Sequence, residues 1–279
     1  MKLFKRLGKA LLILVGVLGT GAILTACGNN TASSELVHPH QLTVGMTGDF
    51  PPYSYKSNGK LTGYEVQVAR AIAKQMHLKP KFRETKWDGL IAGLGSRRYD
   101  AVLNDIAVVH GSSRAKHFLS SKPYLYSRSV LITNAKNHSI KTLHNIKGKK
   151  FAEGIGTNNE KIAKKYGANV VPSADFTSTM SLINDGRIAG CVNSLDSWKG
   201  YAKTHSTKGL RVYAIPNSQY QASAIAVLLA KHSPKLRNKI NKALTTLRKN
   251  GTLKRLSEKY LGGNETVNKN FGGVISDKK

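Results

Sequence analysis

Four residues that could hold a small polar ligand lie at the end of one predicted strand. We expect the strand at residues 100–104, and Asn104, Asp105, Ala107 and Arg114 lie at its end or shortly after it. The planar guanidinium of Arg114 matches a carboxylate, which it can bind through two parallel hydrogen bonds. Parallel sheets bind small ligands in the crevice outside the carboxyl ends of their strands. These residues therefore predict a ligand-binding crevice at this point of the chain.

A glycine-containing loop could bind the anionic part of such a ligand. Gly154, Gly156 and Thr157 lie between a predicted strand at 150–153 and a predicted helix at 159–166. Backbone N–H groups at the N-terminus of a helix point toward an anion. The same pattern is also typical of a plain strand-to-helix turn, so the sequence alone leaves both interpretations open.

No pattern of catalytic or metal-binding residues is evident. The nine histidines are scattered without the spacing of metal ligands, and no serine lies in a nucleophile-elbow motif. We therefore expect no catalytic residue, metal ion or cofactor. Glu153, directly before the glycine loop, is the one candidate for a general acid if the crevice were an active site, and a structural role for it is favoured.

Short strands alternate with helices along the segments that must position these residues. A helix at 64–76 has a buried stripe, and a second at 88–95 has Asp88 as its predicted N-cap. Strands are expected at 81–85 and 100–104. This order of strands and helices predicts an α/β protein with mostly parallel sheets.

The rest of the chain repeats the alternation. A second series is predicted as strands 150–153, 169–172 and 188–192 with helices 159–166 and 176–184. Further strands are expected at 41–46, 127–135, 210–215 and 222–230, and helices at 234–249 and 251–262. The segments 127–135 and 222–230 would cross between two lobes and form a hinge.

Several short motifs occur in a fixed order along the first series. They are Gly63-Tyr64-Glu65-Val66, Trp87-Asp88-Gly89-Leu90-Ile91, Gly93-Leu94, Tyr99-Asp100-Ala101-Val102, Arg114-Ala115-Lys116 and Pro123-Tyr124. In this order they resemble family 3 of the bacterial solute-binding proteins, the extracytoplasmic receptors of ABC importers for polar amino acids. The resemblance extends from about residue 42 to residue 262.

This resemblance implies a two-lobed, periplasmic-binding-protein-like (type II) α/β fold. Each lobe would be a mostly parallel sheet flanked by helices, and a two-strand hinge would join them. The expected divisions are 41–130 with 223–262 for lobe 1 and 131–222 for lobe 2. Such a receptor closes on its ligand and passes it to a membrane permease.

The resemblance also implies roles for individual residues. Phe50 and Trp87 would form aromatic walls, although ordinary core packing is the alternative for Phe50. The ligand's α-carboxylate would be held by Arg114, Gly156, Thr157 and Asn158. The order Thr157-Asn158-Asn159-Glu160-Lys161 looks most like the cystine-binding branch, so cystine is the favoured ligand.

The chain departs from the family pattern at two places. The segment 109–113 before Arg114 is about two residues longer than usual, which changes how the arginine is aimed. Ser194 stands where an aspartate usually holds the ligand's ammonium. Asp196 or Asp105 would then take that role, unless the ligand lacks an ordinary ammonium group.

The N-terminus has the pattern of a lipoprotein leader. A basic start precedes an apolar stretch at 10–24, which is short for a membrane span of roughly 20 residues. Leu24-Thr25-Ala26-Cys27 resembles a lipobox, which predicts a signal peptide at 1–27 and lipid on Cys27. An ordinary signal peptide is the alternative.

A flexible tether is predicted at 28–40 and a polar tail at 263–279. The other cysteine, Cys191, is expected to be a buried thiol.

The charge is strongly positive, with 44 lysines and arginines against 15 acidic residues and a formal charge of +29. The cations are spread along the whole sequence, and an exported lipoprotein meets little nucleic acid, so nucleic acid is excluded as a partner. Anionic cell wall, lipid headgroups or host glycans are the candidate counter-charges, and a solvated surface without a specific partner is the alternative.

The sequence therefore predicts a monomeric, lipid-anchored amino-acid receptor on the outer face of the cytoplasmic membrane. Its partners would be a polar amino acid and an ABC permease. The alternatives from other functional classes are a basic adhesin for acidic glycans and a dehydratase-like enzyme acting in the cleft.

Overall fold

The computed structural model describes residues 35–108 and 110–267. Its strands are β1 (Gln41–Met46), β2 (Tyr55–Ser57), β3 (Lys60–Thr62), β4 (Lys79–Glu84), β5 (Ala101–Val102), β6 (Phe118–Ser120), β7 (Leu125–Ser127), β8 (Ser129–Asn134), β9 (Lys150–Glu153), β10 (Asn169–Pro172), β11 (Gly190–Ser194), β12 (Leu210–Ala214), β13 (Ser223–Ile225) and β14 (Leu228–Ala230). Its α-helices are α1 (Tyr64–Gln75), α2 (Trp87–Gly95), α3 (Ser113–His117), α4 (Asn158–Lys165), α5 (Phe176–Asn184), α6 (Leu195–Ala202), α7 (Pro234–Lys249) and α8 (Thr252–Leu261).

The described strands form two five-stranded sheets and two small pairs. The first sheet has the order β4-β1-β5-β14-β6, and the second has the order β10-β9-β11-β8-β12. In each sheet three neighbouring strands pair in parallel, and the two remaining strands are joined on by antiparallel pairings. Four of the five strands in each sheet therefore run in the same direction, as the prediction of mostly parallel sheets requires. The fifth strand, β14 in the first sheet and β8 in the second, lies close to the crossover in sequence and runs in the reverse direction.

Helices cover both faces of each sheet. One face of the first sheet packs against α1, α7 and α8 in a large apolar core, and Leu90 and Leu94 of α2 cover the other face. The second sheet lies between Ile162 of α4 on one side and Met180 of α5 on the other. We refer to the first sheet with α1, α2, α3, α7 and α8 as the first lobe, and to the second sheet with α4, α5 and α6 as the second lobe.

A short antiparallel pair connects the lobes. Ser127 of β7 pairs with Ser223 of β13; β7 leads on to β8 of the second sheet, and β13 leads back to β14 of the first. The continuous strands predicted at 127–135 and 222–230 are each divided in two, since the chain leaves one sheet before it joins the other. The residue boundaries proposed for the lobes remain a prediction.

Two local predictions are wrong. Asp88 does not cap α2; the helix begins at Trp87 with Lys86 as its N-cap, and Asp88 lies in the first turn, where a carboxylate suits the helix dipole. The strand predicted at 100–104 is reduced to β5. The Asp100 carboxylate accepts the backbone N–H of Val37 and of Thr43, each at 2.6 Å, so this residue ties neighbouring loops together instead.

Both predicted terminal segments are partly packed against the first lobe. Leu36 is buried, and the Glu35 carboxylate accepts the backbone N–H groups of Lys235 and Leu236 at the start of α7. At the other end Thr266 is buried, and the carbonyl of Glu265 accepts the N–H of Tyr126 at 2.8 Å. Residues 35–40 of the predicted tether and residues 263–267 of the predicted tail thus lie in the described part of the chain, and the remainder of both segments lies outside it.

The lipidation prediction at Cys27 lies outside the described residues. Within residues 35–108 and 110–267 no helix is long and apolar enough to cross a membrane, and no cluster of side chains is arranged to hold a metal ion. Cys191 is buried in the second lobe, as predicted, and burial raises the pKa of its thiol well above the ordinary value.

Candidate ligand-binding site

A cavity of about 140 Å³ lies where strands of both sheets end. Its walls come from the loops that follow β1, β5, β9, β10 and β11 and from the start of α4 and α5. A water molecule needs roughly 10–15 Å³ of such space, so the cavity accommodates on the order of ten small groups. This is the size of an amino acid.

Nine of the eleven predicted ligand-binding residues line this cavity: Phe50, Trp87, Asn104, Asp105, Ala107, Arg114, Thr157, Asn158 and Ser194. Gly156 and Asp196 do not line it. The carbonyl of Gly156 accepts a hydrogen bond from Arg114, so this residue is adjacent to the site. Asp196 is buried behind the cavity wall, and burial raises the pKa of its carboxyl to about 7.

Among the described residues, Arg114 is the one cationic side chain that lines the cavity. Despite the longer preceding segment, the hydroxyl of Ser112 caps α3 and places Arg114 in its first turn. The Nη2 atom donates to the Gly156 carbonyl at 2.6 Å, and the guanidinium lies 5.9 Å from the centre of the Trp87 ring. Burial lowers the pKa of Arg114, and no carboxylate of the described residues forms an ion pair with it.

The N-terminus of α4 faces the same cavity with part of its N–H groups already bonded. The hydroxyl of Thr157 accepts the N–H of Glu160 at 3.1 Å and donates to the Gly154 carbonyl at 2.7 Å. The Glu160 carboxylate accepts the N–H of Gly156 at 2.6 Å. These bonds fix the glycine loop, so Gly156 cannot offer its N–H to a ligand. The first-turn positions Asn158 and Asn159 line the cavity and are the ones that can.

Two side chains of the first lobe bond directly to the glycine loop of the second. Trp87 donates from Nε1 to the Ile155 carbonyl at 2.7 Å, beside the bond from Arg114 to Gly156. Phe50 also contacts the second lobe, with its ring 6.3 Å from Phe176 in an edge arrangement. The cavity is thus enclosed between the lobes by contacts that depend on their closure.

Acidic side chains outnumber cationic ones in the cavity wall. Asp49, Asp105, Glu153 and Asp175 line it together with the single Arg114. Asp175 is engaged as the N-cap of α5. Glu153 accepts the N–H of Val192 at 2.7 Å, and burial raises its pKa well above the ordinary value.

Asp105 differs from the other acids of the cavity in having a buried oxygen without a hydrogen-bond partner among the described residues. Its Oδ1 atom is buried and has no hydrogen-bond partner in the described part of the chain. Burial raises the pKa of Asp105 well above the ordinary value, and the nearby carboxyls of Glu65 and Asp196 raise it further. Glu65 in turn accepts the N–H of Asp105 at 2.7 Å.

Ser194 is held in a hydrogen-bond network that joins the lobes. It is 4% exposed, and its hydroxyl accepts from Tyr53 Oη at 3.1 Å and from the N–H of Ser197 at 3.1 Å. The same hydroxyl donates to Ser197 Oγ at 2.7 Å. Tyr53 belongs to the loop after β1, whereas Ser194 ends β11.

Sequence reasoning missed part of the cavity wall, notably Asp49, Ser129, Asp175, Phe176 and Asn193. Asp175 and Phe176 follow the end of β10, and Asn193 lies at the end of β11. The rule that ligands bind beyond strand ends would have found these three. Ser129 follows the hinge strand β7, where no sequence signal pointed to the site.

Known proteins share this architecture. The sequence matches the family described as bacterial extracellular solute-binding proteins, family 3, over residues 42–263. It is 33% identical to the L-cystine-binding protein TcyA of Bacillus subtilis over 268 residues, which cover 91% of this chain and 97% of that protein. It is 34% identical to the L-cystine-binding protein TcyJ of Escherichia coli K12 over 230 residues, with 81% and 84% covered.

A solved structure is similar as well. It comes from work on glutathione import in Gram-positive bacteria via GshT and the cystine ABC importer TcyBC of Streptococcus mutans. The TM-score is 0.75 at 26% sequence identity, and the match covers 81% of this chain and 97% of that one.

Proposed function

Because the chain belongs to family 3 of the bacterial extracellular solute-binding proteins, an extracytoplasmic family, we propose that it captures a polar amino acid, with L-cystine favoured, between its lobes. It then delivers this ligand to an ABC permease. In this proposal the protein acts as a receptor and not as an enzyme, which the names of its relatives support because they are binding proteins. The names of the two relatives support the choice of cystine.

The observation that carries this proposal is the partly buried cation in the cavity, which forms no ion pair with a carboxylate of the described residues. Arg114 has lost hydration without gaining a carboxylate from the described chain, and it faces the first turn of α4. A ligand carboxylate placed between them would receive charge-assisted bonds from the guanidinium and bonds from the N–H groups of Asn158 and Asn159. An α-carboxylate of an amino acid fits this position.

Lobe closure completes the site. Trp87 and Arg114 bond to the carbonyls of Ile155 and Gly156, which belong to the opposite lobe. These contacts exist only when the lobes approach each other, so a ligand that draws Arg114 and α4 together stabilises the closed arrangement. Hinge closure of this kind is a common response to ligand in two-lobed proteins.

The proposal includes a lipid anchor at Cys27. Two acyl chains at about 0.8 kcal/mol per buried CH₂ hold a protein stably on a membrane, whereas one chain does so only marginally. Cys27→Ala should therefore leave the precursor unprocessed or release the protein from the membrane fraction. Processing at another site with unchanged membrane attachment would rule out the anchor.

The binding function is tested by titration calorimetry of the mature protein with a panel of amino acids that includes L-cystine. Arg114→Ala should weaken binding by about 2–5 kcal/mol, since it leaves a desolvated carboxylate unpaired. This corresponds to at least about a thirty-fold loss of affinity. Arg83→Ala, which removes an exposed arginine of β4, is the matched control and should have no effect. Unchanged affinity in Arg114→Ala would contradict the proposed site.

A further inference from the structure

The hydroxyl of Ser194 has no remaining capacity for a ligand. A serine hydroxyl donates one hydrogen bond and accepts two. Ser194 donates to Ser197 Oγ and accepts from Tyr53 Oη and from the N–H of Ser197. An ammonium group needs an acceptor, and both acceptor positions of this hydroxyl are filled.

Asp105 offers the acceptor that Ser194 lacks. It lines the cavity, and its Oδ1 atom is buried without a partner. Asp196, the other candidate, does not line the cavity. The carboxyls of Glu65 and Asp196 lie near Asp105. Among the described residues, the positive charges that offset these carboxyls are those on the distant surface of α6 and that of Arg128 at the hinge.

The backbone at Asp105 also favours this role. The residue adopts a positive φ of 50°, which is uncommon for residues other than glycine, asparagine and aspartate. Its N–H is fixed by the Glu65 carboxylate at 2.7 Å. The backbone of Asp105 is therefore fixed by first-lobe contacts alone.

We propose that Asp105 of the first lobe binds the ammonium group of the ligand, and that Ser194 and Tyr53 form a hydrogen-bonded latch between the lobes. This inference rests on the proposed function and specifies how the same site selects its substrate. The ligand class is a zwitterion with a free α-ammonium group. Arg114 and Asp105 both belong to the first lobe, so both ends of the amino-acid group can dock before the lobes close.

Recognition and closure should then be separable by mutation. Asp105→Asn keeps the size of the side chain and tolerates the positive φ, but it removes the negative charge that an ammonium requires. Ser194→Ala and Tyr53→Phe remove the latch and leave Asp105 in place. Ser194→Thr retains a hydroxyl and serves as the conservative control.

The probes are L-cystine and 3,3′-dithiodipropionate, which has the same disulfide skeleton and carboxylates but no ammonium groups. L-Arginine with 5-guanidinopentanoate and L-glutamine with glutaramate form equivalent pairs if cystine does not bind. Titration calorimetry at pH 7.5 gives the ratio of affinities within a pair. The wild-type protein should prefer the amino acid, and Asp105→Asn should reduce this preference at least ten-fold. Ser194→Ala and Tyr53→Phe should weaken both members of a pair by a similar factor.

A pH series provides a readout that loss of packing would not produce. The groups that face Asp105 are Glu65 of α1, Asp196 of α6, and the hydroxyls of Tyr53 and Ser194. Acidification protonates the raised Asp105 carboxyl, so the wild-type preference for the amino acid should decline as the pH falls. In Asp105→Asn the preference should vary with pH much less.

The outcomes distinguish this inference from the proposed function. If amino acids bind, and Asp105→Asn keeps the wild-type preference while Ser194→Ala abolishes it, Ser194 is the ammonium partner and the inference is wrong. If wild-type protein binds both members of every pair equally, no ammonium is recognised and the inference is also wrong. If no amino acid binds to wild-type protein, the proposed function itself fails, and the inference fails with it.

Discussion

Glu65 is a buried acid of α1 that supports the site without lining it. Its Oε1 atom accepts the N–H of Asp105 and the hydroxyl of Tyr124, while Oε2 has no partner in the described chain. Burial raises the pKa of Glu65 from 4.5 to about 7. Between about pH 4.5 and pH 7 the folded state therefore keeps a proton on Glu65 that the unfolded state has released. The stability that this bound proton contributes is lost as the pH rises through about 7.

We predict that Glu65→Gln makes thermal stability less dependent on pH. The wild-type melting temperature should fall between pH 5 and pH 8 by several degrees more than that of the variant, on the scale of about 2–4 °C per kcal/mol. Melting curves at four pH values in that range measure the difference. The amide retains an acceptor for Asp105 and Tyr124, so the fold should persist. A parallel decline in both proteins would mean that Glu65 is ionised throughout.

Trp87 should report lobe closure by fluorescence. The chain has two tryptophans, and the other, Trp198 of α6, stacks on Tyr201 outside the cavity. In Trp198→Phe the emission comes from Trp87 alone and should change when ligand is added, with affinity retained. Trp87→Phe removes the bond to the Ile155 carbonyl, whose net contribution of about 0.5–1.5 kcal/mol predicts roughly a two- to ten-fold loss of affinity. An unchanged affinity would show that this bond does not contribute to the bound state.

The sequence could place most site residues but not their partners. Arg114 and Asp105 were found because polar residues beyond a strand end converge on one edge of a sheet. The hydroxyl of Ser194 is unable to accept a bond from a ligand partly because it already accepts one from Tyr53, which is more than a hundred positions away in the sequence. No local pattern indicates that such a bond exists. Gly156 differs from Ser194 in this respect, because its N–H is taken by the Glu160 side chain only four positions away.

At the scale of elements, α7 begins without a side-chain cap of its own. Ser233 at the N-cap makes no such bond, and Pro234 follows it. The Glu35 carboxylate, from the far end of the chain, instead accepts the N–H groups of Lys235 and Leu236 at 3.2 and 2.5 Å. A carboxylate at this end of a helix also interacts favourably with the helix dipole.

We predict that Glu35→Ala destabilises the protein by about 1 kcal/mol, within the range of about 0.5–2 kcal/mol for lost helix caps. The melting temperature should drop by about 2–4 °C. Glu258→Ala is the matched control because Glu258 forms only an exposed pair with Lys254 at 3.8 Å, and such pairs contribute little. Equal effects of the two changes would indicate that Glu35 contributes only its charge.

Elements with strong local signals could be predicted to the residue. Strands β1, β9 and β10 and helices α5 and α7 have the predicted bounds, since each has a regular apolar period or clear breakers. The short helices α3 and α6 were not predicted. α6 begins directly at the end of β11, where Ser194 serves as both last strand residue and N-cap. The apolar residues that lead up to Ser194 are compatible with a strand that continues further. Only tertiary packing decides between a longer strand and the start of a helix at this point.

The whole molecule has a surface even more basic than the formal charge of +29 indicates. Glu65, Asp100, Glu153, Glu160 and Asp196 are buried and contribute little negative charge at the surface. Burial raises the pKa of four of them, Glu160 being the exception. In the described part of the chain three ion pairs between side chains are formed, and no acidic residue occurs between positions 197 and 257.

This distribution separates two kinds of binding by their dependence on salt. Helix α7 carries exposed Lys235, Lys239, Lys242 and Lys249 and no acidic residue, so its outer face attracts polyanions. Screening lengths fall from about 10 Å at 0.1 M salt to about 3 Å at 1 M, which weakens exposed charges far more than a closed site. A sulfated or phosphorylated polymer should therefore bind at low salt and dissociate at high salt. Amino-acid binding at Arg114 should change little over the same range.

We predict that Lys239→Gln combined with Lys242→Gln lowers the salt concentration needed to elute the protein from a heparin column, with unchanged affinity for the amino acid. The change removes two exposed positive charges from one helix face and touches no residue of the cavity. Arg114→Ala is the reciprocal control, because it should weaken amino-acid binding strongly and leave the elution position nearly unchanged. If the lysine substitutions also weaken amino-acid binding, the basic surface and the cleft are coupled. If neither variant shifts elution, the positive charge of α7 is simply solvated, and polyanions bind elsewhere or not at all.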